Sequence, residues 1–594
     1  MTPDAHPFLA NCGLLDGALA AWAGQPHWHL LDTCFGDGAV FLTTWQAWRQ
    51  DPQRPRLLHY SALMADAPAP AQIRQLAQHH PDLATEAAAL VSQWQGLLPG
   101  VHRLVFEQGQ VLLTLHIGPV HTLLPTLDAA VDCFFLHGDG LDGPQCKALG
   151  RLARPLARFC ARPATEAWRH GVRSAGFEVD PAANTPPAWH GRYAPRWQPG
   201  LGHRAAACAG PSTAVVVGAG LAGAAVAHSL ARRGWQVQLL DAAEQPAAGA
   251  SGLPAGLVAP HVSPDDAPLS RLSRSGVRLT LQRAADLLQA GTDWAPSGVL
   301  EHRAQGARAL PDHPAWQRWG SDWSRPATTA ECAAAGLPAD AAALWHAQAG
   351  WVRPARLVQA QIDHPGVRWL GAMPVARLAQ SADGWALFAA DGRLLAEAGL
   401  LVLAGGWPTG SLLQGLGPHG LPLHPLRGQV SWGPLALLSA AQRAALPPFP
   451  VNGHGALLHG MAGPDGQPAW LVGSTFERGA TEAALKADDQ HANLAKLAGL
   501  LPTVARALAP SWPQARAWAG VRATLPDRLP AVGPLDAQRW PGLQVCTGLG
   551  ARGLTLSVLC GEVLAARLHG EPWPTERPLA LALQADRFSR RSAP

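Results

Sequence analysis

Apolar residues along this chain fall into short runs of four to six, separated by segments with helical spacing, which predicts alternating strands and helices rather than an all-helical or all-β protein. In the first third the runs are Trp28-His29-Leu30-Leu31, Leu57-Leu58-His59-Tyr60, Val111-Leu112-Leu113-Thr114-Leu115 and Val131-Asp132-Cys133-Phe134-Phe135-Leu136. They read as strands of one α/β domain ending near Val179, with Gly100 to Leu104 leading into the third. A stretch rich in Pro, Gly, Trp and Ala from Asn184 to Pro211 breaks the alternation and predicts a linker, placed at 196–212. The alternation restarts with Ala214-Val215-Val216-Val217, a helical stretch, and Gln236-Val237-Gln238-Leu239-Leu240. A further apolar strand, Gly399 to Ala404, stands so far downstream that segments must be inserted between the strands of one sheet. The expected division is 1–195, a linker, and 213–594, with substrate-binding insertions at about 295–350 and 425–520.

Composition narrows the class without deciding it. The chain has 594 residues, a net charge of +4 and nine cysteines without a Cys-x-x-Cys pair, which argues against a disulfide scaffold or zinc ribbon. No metal site is expected, and a reducing cytoplasm is the expected compartment. The cationic residues are almost all Arg, a bias better ascribed to overall composition than to nucleic-acid binding. No basic leader or run of ~20 apolar residues is present, so no membrane association is expected. The oligomeric state is open, with a monomer as the default. Lys147, Arg151, Arg154, Arg158 and Arg162 are spaced by three and four, which would align them on one helix face able to follow phosphates or merely to face solvent.

The strongest chemical signal is Val217-Gly218-Ala219-Gly220-Leu221-Ala222-Gly223, after a strand and before a helix, with Asp241 closing the next strand. Gly218 makes the tight turn, Gly220 admits a pyrophosphate to the backbone, and Gly223 lets helix and strand pack closely. The helix N-terminus favours the anion, and Asp241 stands where an acid holds ribose hydroxyls. Three later segments favour FAD over NAD. The turn Gly249-Ala250-Ser251-Gly252 and the strand end at Gly405 bring backbone near the dinucleotide. The turn Gly548-Leu549-Gly550-Ala551-Arg552-Gly553-Leu554 opens a helix predicted over 555–568 that would face a reduced flavin.

This order resembles the glycine oxidase and D-amino-acid oxidase family of FAD enzymes over roughly residues 213 to 590. The resemblance includes Arg522-x-x-x-x-Asp527-x-x-Pro530-x-x-Gly533, whose arginine is implied to pair with a substrate carboxylate. A guanidinium fork suits that task because it binds both oxygens and fixes the C–N bond. Arg427 is a second candidate for the catalytic site, structural or close to the flavin. A purely structural ion pair is the competing reading for Arg522.

The first third resembles an S-adenosylmethionine-dependent methyltransferase. Asp32-Thr33-Cys34-Phe35-Gly36-Asp37-Gly38 corresponds to its cofactor loop, with Asp32, Phe35, Gly36 and Gly38 as implied binding residues. His137 and Asp139 stand at the implied methyl-transfer site. The two halves together resemble the family of bifunctional tRNA 5-methylaminomethyl-2-thiouridine biosynthesis proteins over essentially the whole chain. The expected architecture is therefore α/β, with a Rossmann-like methyltransferase domain followed by an FAD-binding domain of the D-amino-acid oxidase type carrying an inserted α+β substrate domain. The resemblance implies FAD-dependent removal of the carboxymethyl group from 5-carboxymethylaminomethyl-uridine in tRNA, released as glyoxylate, followed by methylation of the exposed amine. tRNA, bound at its wobble uridine, is the implied partner.

Departures from the family pattern concentrate in the first domain. Cys34 replaces its first glycine and Ala39-Val40 a Leu-Asn pair. Met64 stands where an acid would hold ribose, Gly118-Pro119 replaces Gly-Asp, and His137 replaces a carboxylate. A thioether cannot accept the two hydrogen bonds of a ribose diol as a carboxylate does. These changes predict weakened or lost methyl transfer. In the second domain the departure is milder, with Leu253 for an Asn. Two other functions stay open: a small-molecule glycine, sarcosine or D-amino-acid oxidase with a vestigial partner domain, and a tRNA-binding flavoprotein without catalysis.

Overall fold

The computed structural model of the chain describes residues 5–15, 19–137, 141–162, 166–180, 189–197, 212–303, 308–417 and 420–588. The chain forms two compact units, Met1–Cys208 with Ala566–Pro578, and Ala209–Ala565 with Leu579–Pro594. Most of the expected linker, and Asp139, lie outside the described residues.

The first unit is built on an eight-stranded sheet. Its five central strands run parallel in the spatial order Val111–Ile117, Leu57–Met64, His27–Asp32, Val131–His137 and Ala153–Arg162. Gly100–Phe106 closes one edge antiparallel, and Trp189–Tyr193 with Phe177–Val179 closes the other. Every residue of Leu57–Met64 is buried, as expected for a parallel strand covered on both faces. The order of the strands reverses between His27–Asp32 and Val131–His137, so the loops after them flank a switch-point crevice. The late segment Ala566–Pro578 returns to this unit: Ala130 N donates to Gly570 O at 3.0 Å and Arg103 Nη2 to Pro572 O at 2.8 Å.

The proposed basic helix face is not formed. The helix Gly143–Leu152 stops before Arg154, and Ala153–Arg162 is a strand. Pro155 lacks the N–H that a continuing helix needs, and Leu156 sits at φ +64°, outside the helical region. The arginines are also occupied: Arg151 donates to Pro125 O and Leu127 O, Arg154 pairs with Asp132 at 3.3 Å, and Arg158 donates to Cys12 O.

The second unit contains a six-stranded sheet in the order Val367–Leu370, Gln236–Leu240, Thr213–Val217, Leu400–Leu403, Leu543–Thr547 and Ala531–Gly533. The first five are parallel and the last is antiparallel. Val215, Leu240, Leu401, Leu403 and Val545 from its strands are sealed in one core. A separate nine-stranded sheet gathers Val299–His302, Ser324–Pro326 and Ala343–His346 with strands between His424 and Thr524. In it Arg516–Thr524 lies antiparallel to His424–Pro434, with Leu426 opposite Arg522 and Gly428 opposite Gly520. The helix at the final glycine turn spans Gly553–His569, two residues earlier in its start than the spacing suggested.

Candidate functional site

The parallel strands Thr213–Val217, Leu400–Leu403 and Leu543–Thr547 end on one cavity of about 870 Å³ inside the second unit. Ligands in open α/β sheets bind at this carboxyl end. Its sheet-side rim is almost bare backbone: Gly218, Gly220, Gly249, Gly405, Gly406, Gly548, Gly550 and Gly553 all line it.

The bareness is required by packing as well as by a ligand. Gly218 has φ +106°, and a Cβ there would lie 2.6 Å from Gly405 Cα. A Cβ on Gly223 would come within 1.7 Å of Gly218 O, so only glycine lets the helix Leu221–Ala231 start this close to the strand. Asp241 fixes the loop, accepting from Ala219 N at 2.7 Å on one oxygen and from Ala243 N at 2.9 Å on the other. Each oxygen keeps a further lone pair, and Asp241 lines the cavity. Ser251 Oγ accepts from Leu221 N at 2.9 Å, which ties the Gly249 turn to the helix start. This cradle of open backbone, a helix N-terminus and a carboxylate fits the pyrophosphate and ribose of FAD.

The opposite wall comes from the nine-stranded sheet and carries the reactive side chains. Arg522 Nη2 donates to Ser474 Oγ at 3.1 Å, while its Nη1 is sealed from solvent with no hydrogen-bond partner. A buried, charged donor without a partner is costly, and the cavity is where its partner would come from. Burial lowers the pKa of this guanidinium from its ordinary value, yet it stays protonated. Gly428 makes room for it, since a Cβ there would stand 2.8 Å from Nη2 and 2.9 Å from Nη1. Lys496, from the helix Ala487–Leu500, donates to Ser474 O at 2.6 Å. Burial lowers its pKa, and the nearby Arg522 charge acts in the same direction. Phe476, 56% exposed, also lines the cavity.

Of the residues expected to hold FAD, Gly218, Gly220, Asp241, Ala250, Ser251, Gly405, Gly550, Gly553 and Leu554 line the cavity. Ala219, Gly223 and Gly252 stand just behind it; a Cβ on Gly252 would press on Ala247 O. Arg552 lies in the same turn but is not part of the lining. Arg427 does not belong to the cavity either. It is buried and held by Glu477, by Asp489 at 2.6 Å, by Gln429 and by the Ala484 carbonyl, which makes it a support for the wall rather than a catalytic group. Lys496, Phe476, Ser474 and Gly428 carry no motif, and the sequence reading missed them.

In the first unit the expected cofactor loop is present as backbone, with Gly36 at φ +59° and Gly38 at φ +89°. Asp32 and Phe35 are turned inward, while Cys34 and Asp37 are exposed. Asp32 is fully buried and accepts from Tyr60 OH at 2.6 Å and Cys34 N at 2.9 Å. His137 Nε2 stands 3.3 Å from Asp32 Oδ1, the oxygen that also accepts from Cys34 N, without the alignment of a hydrogen bond. Burial, and then the Asp32 charge, push the Tyr60 phenol well above its ordinary pKa, so it remains a donor. Phe35 is buried against Trp94, with ring centroids 5.3 Å apart. Met64 ends its strand buried, with no carboxylate at that place. These residues do not fit S-adenosylmethionine as a ligand set: Asp32, unlike Asp241, is fully buried, and the ribose position is apolar.

Among the described residues no group of three or more His, Cys, Asp or Glu is placed to hold a metal ion, and no helix is long and apolar enough to cross a membrane. Residues 213–567 match the family model described as FAD dependent oxidoreductase. A Paracidovorax citrulli (strain AAC00-1) protein named tRNA 5-methylaminomethyl-2-thiouridine biosynthesis bifunctional protein MnmC is 49% identical, covering 98% of this chain and 94% of its own. One of the same name from Delftia acidovorans (strain DSM 14801 / SPH-1) is 49% identical, covering 99% and 94%. A third, from Polaromonas sp. (strain JS666 / ATCC BAA-500), is 48% identical, covering 97% and 93%.

Proposed function

The chain belongs to the MnmC family of bifunctional tRNA-modification proteins and carries that family's FAD-dependent oxidoreductase domain, and from this we propose what each unit does. The second unit oxidises the C–N bond of the carboxymethylaminomethyl group on the wobble uridine of tRNA. The observation that supports this reading is Arg522, a residue that lines the same cavity as the glycine cradle and whose charged group keeps Nη1 buried and unpartnered. An N-substituted glycine supplies the missing carboxylate.

FAD, held by the Gly218–Gly223 loop, Asp241, Ser251 and the Gly548–Gly553 turn, supplies a two-electron acceptor for the carbon–hydrogen bond beside the amine. Arg522 holds the carboxylate and so sets which face and which bond of the substrate is presented, and orientation of this kind accounts for a large part of the rate. Ser474 Oγ anchors Nη2 and leaves Nη1 for the substrate. The apolar lining from Val430, Leu458 and Leu471 limits water around the reacting carbon. Water then hydrolyses the oxidised C=N bond, releasing glyoxylate and leaving the aminomethyl group on the base.

The first unit keeps the methyltransferase-like sheet order without the donor set for S-adenosylmethionine. We assign it no methyl-transfer step. Nucleoside mass spectrometry of tRNA from a strain lacking this chain, with and without the chain restored, tests both assignments. The expected result on restoration is loss of the carboxymethylaminomethyl nucleoside and accumulation of the aminomethyl one. Accumulation of the methylaminomethyl nucleoside would contradict the assignment for the first unit, and an unchanged carboxymethylaminomethyl nucleoside that for the second.

A further inference from the structure

Beyond the carboxylate clamp, the cavity has a feature that a small amino acid would not use. Phe476 is 56% exposed at the cavity, although most large apolar side chains of the unit are buried. One exposed aromatic alone signifies nothing. Its neighbours give it meaning: Lys496 Nζ lies 5.2 Å and Arg522 Cζ 5.3 Å from its ring centroid. These two cations hold the ring by its π-face attraction, so it is oriented despite its exposure. Lys496 uses one donor on Ser474 O and, as an ammonium, has two more.

We propose that Phe476 and Lys496 form a nucleotide subsite beside the clamp, the ring stacking on the uracil whose side chain Arg522 holds and the ammonium meeting an adjoining phosphate. The inference rests on the tRNA reading above and adds how the nucleoside itself is recognised. The span agrees with the chemistry. Four single bonds separate the uracil ring carbon from the carboxylate carbon, about 5 Å when extended, which is comparable to the 5.3 Å between the Phe476 ring and the Arg522 guanidinium. Stacking on an aromatic side chain and a cation on the backbone are the two general means of holding single-stranded nucleic acid.

The test uses the FAD-loaded full chain and tRNA bearing carboxymethylaminomethyl-uridine, with glyoxylate release as the readout. Phe476→Ala is expected to raise KM for this tRNA about thirtyfold, the middle of the range for one stacked base. Phe476→Trp should stay within about threefold of the parent, while Phe476→Leu, which keeps the apolar volume but no π-face, should resemble the Ala variant. Lys496→Gln should weaken binding and lower the slope of log KM against log salt by about 0.7, the value for one phosphate of a single strand. Leu restoring activity as well as Trp, or Ala matching the parent, overturns the inference and leaves the tRNA reading standing. A parent protein that releases no glyoxylate from this tRNA overturns both.

Discussion

Arg522 donates to Ser474 Oγ at 3.1 Å through one nitrogen and keeps the other buried and unpaired, beside a cavity whose sheet-side rim is glycine backbone. The pair explains why a serine just past the strand Pro468–Gly473 and an arginine 48 residues later act together. Removing the guanidinium as Arg522→Ala should lower kcat/KM about 100-fold, near the upper value of a hydrogen bond to a charged group. Arg522→Lys should recover only part of this, since an ammonium lacks the fork. Gly428→Ala, whose Cβ would crowd both guanidinium nitrogens, should mimic the loss without lowering FAD content. Steady-state kinetics with bound flavin quantified by absorbance checks all three.

Gly223→Ala should act on the cofactor instead. Its Cβ would meet Gly218 O at 1.7 Å, so the helix must retreat from the loop. The expected result is protein purified with little FAD and destabilised by roughly 1–3 kcal/mol, as for overpacked cores. Flavin-to-protein ratio and thermal melting read the two effects separately.

How much of this was legible beforehand depended on whether the signal was local. Gly218 to Gly223 and Asp241 were legible because a strand, turn and helix stand together in about 25 residues, each with its own pattern. Arg522 was legible only through a family resemblance. Gly428, Ser474, Phe476 and Lys496 were not, since non-local pairing such as Gly428 opposite Gly520 brings them together, and no periodicity encodes it. Arg154, Arg158 and Arg162 misled for a geometric reason. Arg158 and Arg162, four apart, share a face on a helix or a strand alike, but a register shift between Arg154 and Arg158 puts those two on different faces.

Glu301 provides an acid-side stability marker for the nine-stranded sheet. Burial alone would raise its pKa, but the hydrogen bond from His346 at 3.2 Å, with the His346, Arg308 and Arg303 charges, lowers it to about 2. A carboxylate with a depressed folded pKa contributes stability above its unfolded value near ~4.3 and loses it as pH falls towards the folded value. The contribution is roughly 3 kcal/mol at neutral pH. Glu301→Gln should therefore be least stable relative to the parent at pH 6–7, about neutral, with the gap closing between about pH 4 and about pH 2. Denaturant melts across that range check it; a gap independent of pH would contradict the ion-pair account.

S-adenosylmethionine should give no micromolar binding isotherm with the full chain. Asp32 is fully buried against Tyr60 and Cys34, and Met64 offers no acid for the ribose. Isothermal titration calorimetry decides this, and a saturable micromolar isotherm would overturn it.

In the proposed function the Gly218 loop and Arg522 serve one oxidation on tRNA. Its most direct test is anaerobic mixing of the FAD-loaded chain with tRNA bearing carboxymethylaminomethyl-uridine, in parallel with free glycine and sarcosine, while flavin absorbance is followed. The expected result is rapid loss of the visible flavin band with the tRNA, one glyoxylate released per flavin reduced, and no comparable change with the free amino acids. Bleaching by glycine or sarcosine with none by the tRNA would contradict it.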